Sequence, residues 1–508
     1  MSLINSIASW YLKKRVMQIE MFVKHPVDTQ LEVFHKLIRT AEKTAWGEEF
    51  GFKDMKTIQQ FQERVPISNY EQLFPYIERT LQGEKSVLWP GKIKWFSKSS
   101  GTTNDKSKFI PVTKESLNDC HFKGGKDMLA IYLHNRPDSQ LFTGRALPIG
   151  GSHEINKLNS DSYYGDLSAV LIQNTPHVFN LFRATSKKLA LMPEWESKIQ
   201  AMAERVLNMN ITSIAGVPTW TIVLINKLFE MAGTERDLHE IWPSLEVFFH
   251  GGVSFKPYRR QFQSLIPSDR MHYFETYNAS EGFFGLQNER DKDDLLLMLD
   301  YGILYEFVKL EDLDQDHPRA YTISEVEPGV TYAMLITTNG GLWRYMIGDT
   351  VQFTSVSPFK IKIAGRTKHF INAFGEELMV DNAETALDHA CAETGAVIAN
   401  YTAAPIYFSE GQNGAHEWLV EFEKAPVVVN EFRDILDAKL RELNSDYDAK
   451  RYKSIALREP VLHALPKGTF YDWMKSRGKL GGQNKVPRLS NTRDYVDAIL
   501  EMLKVPMV

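Results

Sequence analysis
Only two of the 508 residues are cysteine, Cys120 and Cys391, and they lie far apart in the chain. That excludes a disulfide framework and a cysteine-rich zinc site, and it fits a reducing compartment, the cytoplasm. No apolar run reaches the roughly 18 residues that a membrane-spanning helix needs. The apolar stretch Leu3–Leu12 is followed by Lys13, Lys14 and Arg15, not preceded by them, the reverse of a secretory signal. Charge of one sign is scarce as well. The net charge is −5 and no basic stripe carries interleaved aromatics, so neither nucleic acid nor an anionic membrane is an expected partner. Any anion site must be local. The pattern G-x-x-x-x-G-K-[ST] occurs nowhere, which excludes a Walker-type phosphate loop.

What is present is the composition of an ordinary globular enzyme, 43% hydrophobic and 24% charged, in a chain long enough for two or more domains. Residues 1 to about 46 carry apolar residues at helical spacing, fitting a helix packed on the main domain or, less well, one lying on a membrane surface. A helical patch, Lys56–Arg64, ends at Pro66. Thr113 is a natural N-cap for a helix to about His134. Ala146–Ile149, Ile211–Ala215, Leu245–Phe249 and Met271–Thr276 read as buried strands. Glycine turns or helices follow them, including a long helix Lys187–Met209 interrupted at Pro193 and a helix Thr221–Met231 closed by Gly233. That order predicts an α/β sheet with helices on its faces. Strands at close intervals from Leu295 to Ala364, among them Thr350–Ser355, predict a mainly antiparallel β section. Mixed α and β follows, with helices near Val380–Glu393 and Val429–Leu443 around a strand Glu417–Phe422. The domains expected are a large α/β domain, residues 1–365, and a small α+β domain, residues 366–508. The acidic clusters Glu289–Asp294 and Glu311–Asp316 read as solvated turns.

Five stretches carry chemistry. Ser97–Thr113 reads SKSSGTTNDKSKFIPVT, a polar run between two strand-like segments. Ser99, Ser100, Thr102 and Thr103 offer hydroxyls, Gly101 lets the backbone approach a ligand, and Lys106 and Lys108 add positive charge. Such a loop suits a triphosphate, and by composition it is equally an ordinary polar hairpin loop. Glu275–Gly285 reads ETYNASEGFFG. Tyr277 can present a ring face to a purine and Glu281 is a hard carboxylate suited to Mg²⁺. Leu342–Phe353 reads LWRYMIGDTVQF, with Asp349 at the start of a strand, either to accept ribose hydroxyls or as part of a plain Gly-Asp turn. Gly365–Leu378 reads GRTKHFINAFGEEL, with Arg366 at the domain junction. Gly481–Leu489 reads GGQNKVPRL, placing Lys485 in a glycine-rich loop where a lone lysine is ordinarily surface charge.

The order of these stretches resembles the acyl-adenylate-forming superfamily that includes firefly luciferase and acyl-CoA ligases. The wording SSGTT, K-x-IPVT, GVPTW, Y-x-x-SEG, Y-x-x-GD and KVPR is most similar to its auxin-responsive acyl acid amido synthetase family, known in plants and also in bacteria. The resemblance spans residues 95 to 489. It implies a large N-terminal domain and a mobile C-terminal lid that rotates between two half-reactions. It implies that Ser99, Ser100, Gly101, Thr102, Thr103 and Lys108 hold the ATP phosphates, and that Tyr277 and Ser280 flank the adenine beside Gly251 and Gly252. By the same likeness Glu281 holds Mg²⁺, Asp349 binds the ribose, Arg366 sits at the hinge near the nucleotide, and Lys485 reaches the phosphate and carboxylate oxygens as the acid is adenylated. The acyl pocket lies between Ala146–Asn174 and the GVPTW helix, with Tyr163, Tyr164, Val217, Thr219 and Trp220 as lining residues. Asn104 and Asp105 stand where relatives often have glycine, and Met346 and Ile347 where many have one basic and one apolar residue. These departures, with a hinge closer to the general superfamily, suit a bacterial-type member with its own substrate.

The function expected is an ATP-dependent ligase: a carboxylic acid is adenylated with release of pyrophosphate, and an amine, an amino acid, then attacks to form an amide. The alternatives are an acyl-CoA ligase sharing the first step and a non-catalytic nucleotide-binding relic. Retention of Glu281, Asp349 and Lys485 argues against the relic. A monomer or weak dimer is expected, as is loss of adenylation with an intact fold in Lys485→Ala.

Overall fold
The computed structural model describes residues 3–99, 108–150, 155–192, 195–234, 237–253, 255, 258–290, 292–313, 315–366, 370–409, 412–477 and 487–503. The amino-terminal helical stretch is broken at His25, where Pro26 opens a second helix: Leu3–Lys24 and Pro26–Ala41 follow one another. Proline at a first helical position is tolerated because its missing N–H has no partner there. Both helices pack on the main body. Buried Arg15 pairs with Asp127 at 2.8 Å and Asp300 at 2.7 Å, and the Gln30 amide donates to the Leu299 and Ile303 carbonyls. Thr113 caps as expected, its Oγ1 accepting from the Ser116 N–H at 2.9 Å, and helical structure runs on to Asn135 through a π-turn over Ser116–His121.

Nineteen strands build four sheets among the described residues. In chain order they are β1 (Trp95–Ser99), β2 (Lys108–Val112), β3 (Arg145–Ile149), β4 (Asn156–Lys157), β5 (Tyr163–Gly165), β6 (Ile211–Gly216), β7 (Val247–Gly251), β8 (His272–Ala279), β9 (Gly282–Leu286) and β10 (Leu295–Leu297). There follow β11 (Ile303–Lys309), β12 (Thr331–Thr338), β13 (Tyr345–Val356), β14 (Phe359–Arg366), β15 (Phe370–Ile371), β16 (Leu378–Met379), β17 (Val397–Ile406), β18 (Ala415–Lys424) and β19 (Val461–Leu465). The main sheet has ten strands in the order β11-β12-β13-β14-β10-β9-β8-β7-β6-β3. Its β3-β6-β7-β8 part is parallel and the remainder antiparallel. The α/β half and the β-rich half are therefore one continuous sheet, joined through the β8–β9 hairpin that carries Ser280 and Glu281 at its turn. Parallel strands buried on both faces favour continuous apolar runs; Val247–Phe249 is one, whereas β6 carries buried Thr212 and Ser213 between Ile211 and Ile214.

Two expectations are corrected. Asp349 is not at a strand start, because β13 begins at Tyr345. Ala333 pairs with Thr350 and Leu335 with Met346, so Ile347, Gly348 and Asp349 bulge opposite Met334, with Gly348 at φ +92°. Nor is Glu289–Asp294 simply a solvated turn, because buried Lys360 of β14 bridges Glu289 and Asp294. The interruption expected within Lys187–Met209 is present, helix Lys187–Ala190 preceding Pro193 and helix Trp195–Val206 following it.

The helices of the parallel half share one apolar core with the carboxy-terminal section: Trp220, Phe248, Phe262, Ile371, Phe374, Trp418 and Leu436 belong to it. The Tyr258 hydroxyl donates to the Ala373 carbonyl. The hairpin β15–β16 lies against the carboxyl ends of the parallel strands, the Asn372 amide donating to the Gly252 carbonyl at 3.4 Å, the end at which α/β sheets bind ligands.

Candidate active site
The hydroxyl loop starts where β1 and β2 stop pairing. Ser99 and Lys108 are their last opposed residues; Ser100, Gly101, Thr102 and Thr103 lie outside the described residues. The base of the loop is fixed from three sides. The Ser97 hydroxyl donates to the Ser280 hydroxyl at 2.9 Å, tying β1 to the β8–β9 turn. The Phe109 N–H donates to the Tyr70 hydroxyl at 2.8 Å, and the Lys108 ammonium stands 5.8 Å from that ring. Tyr70 opens the helix Tyr70–Leu81, which sequence reading missed although Asn69 and Gln72 form a capping box ahead of it, a legible signature. On the third side β5 runs parallel to β1. The Tyr163 ring lies 5.2 Å from Trp95 and the Tyr164 ring 5.3 Å from Phe109, so both tyrosines buttress the loop strands.

Glycine lines the strand ends. A Cβ on Gly251 would lie 2.4 Å from the Thr276 carbonyl oxygen, and Gly252 adopts φ +81°, with Val217 3.5 Å from the position of its Cβ. Only glycine meets both conditions without strain. Tyr277, one strand over, is buried against Phe284 at 4.9 Å and donates its hydroxyl to Asp349 Oδ2 at 2.7 Å. The bulge in β13 thereby delivers Asp349 to the β8 strand end. Asp349 and Arg366 are direct partners in the β13–β14 ladder; the side chain of Arg366 is not among those described.

Half-buried Glu281 completes the cluster. Burial pushes its carboxyl up to about 7, Lys108 opposes that rise, and the charges of Glu377 and Asp349 add to it. A carboxylate held in this way is short of positive charge, and a divalent cation would relieve it. Among the described residues no group of three or more metal-ligating side chains forms a protein-only cage. Mg²⁺ takes one or two carboxylates and completes its shell with phosphate oxygens and water.

The helix Pro218–Ala232, on which acyl-pocket residues are expected, buries Trp220, and Val217 lies just before it. Trp220 packs beneath the Lys450 ammonium, 5.3 Å from the ring, and that ammonium donates to the Gly375 carbonyl at 2.8 Å. The side chain of Thr219 is not described. A pair that sequence reading did not find stands close by. Asp166 caps the helix Leu167–Asn174, accepting from the Ala169 N–H at 2.8 Å. Burial pushes the Asp166 carboxyl up to about 7 and the buried Lys198 ammonium down to about 8, each opposed by the other's charge. Their separation of 32 positions gave no local signal. Lys485 lies outside the described residues.

A glycine-edged carboxylate site at the ends of parallel strands, roofed by a carboxy-terminal hairpin, defines an adenylate-forming enzyme. The chain belongs to the GH3 family: models of that family's N-terminal, central and C-terminal domains match residues 15–271, 296–366 and 381–494. It is 22% identical over 556 residues to the indole-3-acetic acid-amido synthetase GH3.4 of Arabidopsis thaliana, covering 92% of this chain and 90% of that protein. It is 20% identical over 557 residues to the 4-substituted benzoates-glutamate ligase GH3.12 of the same plant, covering 94% of each. Among solved structures, the GH3.15 acyl acid amido synthetase superposes with a TM-score of 0.61 at 16% identity, over 96% of this chain and 95% of that one. A 2-hydroxyisobutyryl-CoA ligase superposes at 0.57 and 11%, over 95% and 92%. At such identities the superpositions speak for the fold.

Proposed function
We propose that this protein is an ATP-dependent acyl acid amido synthetase that adenylates a carboxylic acid and passes the acyl group to an amino acid. The observation that carries the reading is the convergence of Lys108, Ser280, Glu281 and the Tyr277–Asp349 pair at one set of strand ends, joined to the hydroxyl loop by the Ser97–Ser280 bond. The division of labour is that of two domains, residues 1–365 and 366–508.

In the first half-reaction an acid oxygen attacks the α-phosphorus and pyrophosphate leaves. Ser99 to Thr103 and Lys108 hold the phosphates, Gly251 and Gly252 admit the adenine beside Tyr277 and Ser280, and Asp349 accepts the ribose hydroxyls. Glu281 holds Mg²⁺, which when bound neutralises charge developing on the phosphate oxygens. Arg366 and Lys485 bring further positive charge. Because displacement at phosphorus needs little covalent help, positioning and charge stabilisation supply most of the rate. In the second half-reaction the amine replaces AMP at the acyl carbon. Trp220 and Val217, with Tyr163, Tyr164 and Thr219, bound the acyl pocket. The substrates are small molecules handled by a cytoplasmic monomer or weak dimer.

The test is acid-dependent ATP–pyrophosphate exchange across aromatic and aliphatic acids, followed by mass spectrometry with amino acids and separately with coenzyme A. Exchange with an amide product is expected, and Lys485→Ala should abolish exchange while leaving thermal unfolding as in the parent. A thioester as the sole product would replace the amide assignment with acyl-CoA ligation, and exchange at the parental rate in Lys485→Ala would end the role given to that lysine.

A further inference from the structure
Lys450 is a buried cation, 5% exposed, on the helix Ser445–Arg451 of the carboxy-terminal section. Its ammonium donates to the Gly375 carbonyl at 2.8 Å and stands 5.3 Å from the Trp220 ring. Neither partner carries a negative charge. Among the described residues no carboxylate forms an ion pair with it. Glu376, next to Gly375, is committed elsewhere: its carboxylate accepts from the Phe374 N–H at 2.7 Å and meets His416 Nε2 at 2.8 Å. Asp446, one turn earlier in the same helix, acts on Asp166. Trp220 lies in the first turn of the helix Pro218–Ala232, whose positive end adds to the charge of Lys450 instead of cancelling it. A buried charge is ordinarily paired, because leaving it unpaired is costly. An ammonium has three donors, and the Gly375 carbonyl takes one.

The ammonium stands at the edge of the strand-end site. Lys450 Nζ lies 3.6 Å, and Val217 Cγ1 3.9 Å, from the point that a Gly375 Cβ would occupy, and Val217 Cγ2 lies 3.5 Å from the corresponding point at Gly252. One valine side chain therefore separates the ammonium from the glycine edge. The hairpin that supplies Gly375 is tied to that edge as well, through the bond from the Asn372 amide to the Gly252 carbonyl. Of the anions in the proposed reaction, the phosphates are assigned to the hydroxyl loop and Lys108, and the acid's own carboxylate becomes the acyl-adenylate. The one left is the α-carboxylate of the acceptor amino acid. Its carbon is two bonds from the attacking nitrogen, so the cation that holds it must lie within one amino acid of the acyl carbon.

We propose that Lys450 binds the α-carboxylate of the acceptor amino acid in the second half-reaction, with the Gly375 carbonyl and the Trp220 ring fixing the ammonium in place. The acceptor's amino group is then the end turned toward the strand ends. The proposal rests on the amide-forming reading above, and it restricts the acceptor to amines that carry a carboxylate beside the nitrogen.

The probe is a pair of acceptors: an amino acid that gives an amide product, and the same amino acid as its primary carboxamide. The second keeps the amine and the side chain and lacks the anionic carboxylate. With an acid that supports pyrophosphate exchange, kcat/KM for each acceptor is measured by mass spectrometry in the parent, in Lys450→Gln and in Lys450→Arg. The ratio of the two values cancels any effect on adenylation, which both acceptors share. The parent should prefer the amino acid by roughly ten- to a hundredfold, as a hydrogen bond to a charged group contributes. Lys450→Gln should bring the ratio near one through a raised KM for the amino acid, and Lys450→Arg should retain a preference. The first comparison needs no variant, so it decides even where a substitution unfolds the chain. A parent that uses both acceptors equally, or a Lys450→Gln enzyme that loses both in proportion, would overturn the assignment and leave Lys450 a clamp between Gly375 and Trp220. A parent that exchanges pyrophosphate but joins no amino acid to any acid would instead remove the amide-forming reading, and the role of Lys450 with it.

Discussion

The hydrogen bond from Tyr277 to Asp349 permits a quantitative test of the ribose assignment. Tyr277→Phe keeps the ring and its contact with Phe284 and deletes one oxygen, whose proton goes to a buried carboxylate at 2.7 Å. A hydrogen bond to a charged acceptor contributes about 1.5–3 kcal/mol net. In the free enzyme the loss lowers stability. In the nucleotide complex it loosens the carboxylate that should face the ribose. If half the loss falls on the ribose contact, about 0.8–1.5 kcal/mol, the KM for ATP in the exchange assay rises roughly four- to twelvefold, with little change at saturating ATP. A nucleotide lacking a ribose hydroxyl closes a double-perturbation cycle. Should Tyr277 act through Asp349, its removal and the removal of the hydroxyl must be non-additive, because each weakens the same contact. Strictly additive effects on KM, or a lowered melting temperature with KM unmoved, would refute the reasoning and leave Asp349 a structural acceptor for Tyr277.

Two further substitutions test the strand ends. Burial raises the Glu281 carboxyl to about 7 in the folded chain, so the folded state holds that proton more tightly than the unfolded one. The resulting stability is complete below the unfolded value near 4.5 and is lost as pH rises through 7. Glu281→Gln should therefore be more stable than the parent by up to about 3 kcal/mol near pH 8 without Mg²⁺, and no more stable near pH 4, as read from urea unfolding; its exchange activity should fall by at least a hundredfold. For Gly251→Ala, the new Cβ would meet the Thr276 carbonyl at 2.4 Å. Relief needs the β7–β8 pairing to open, so a cost of about 1–3 kcal/mol and at least a tenfold loss of exchange are expected, and an alanine variant with parental exchange would show that no close approach is required there.

Most strands of the main sheet were legible as buried runs between turn residues, although β9 read as a glycine-rich turn and the first part of β13 was missed; the family was legible because its motifs fall in order over most of the chain. What escaped the sequence depended on partners far away. The bulge that carries Asp349 is set by how β13 registers on β12, and nothing in RYMIGD distinguishes a bulge from a turn. The packing of Tyr163 and Tyr164 against Trp95 of β1 and Phe109 of β2 joins segments far apart in the chain and leaves no local trace. The burial of Lys360 between Glu289 and Asp294 is made by the placement of β14 and has no local signal. The Asp166–Lys198 pair, the Lys450 clamp on Gly375 and the contact of Glu376 with His416 each join elements that only the folded chain brings together. The capping box at Asn69 is the exception, a local signal that was present and passed over.

The position of the β8–β9 turn has a mechanistic consequence. It is the seam at which the sheet changes from parallel to antiparallel, and both halves of the site are hung from it. The parallel side contributes Gly251 and Gly252 from β7, while β13, on the antiparallel side, contributes Asp349. Ser280 in the seam holds the phosphate-loop strand, and Glu281 next to it is exposed to charges from β2, from β13 and from the β15–β16 hairpin alike. A carboxylate at such a seam keeps its place whichever carboxy-terminal group faces it. In the proposed two-step reaction, Glu281, Asp349 and the glycine edge stand on this one sheet and are common to both half-reactions.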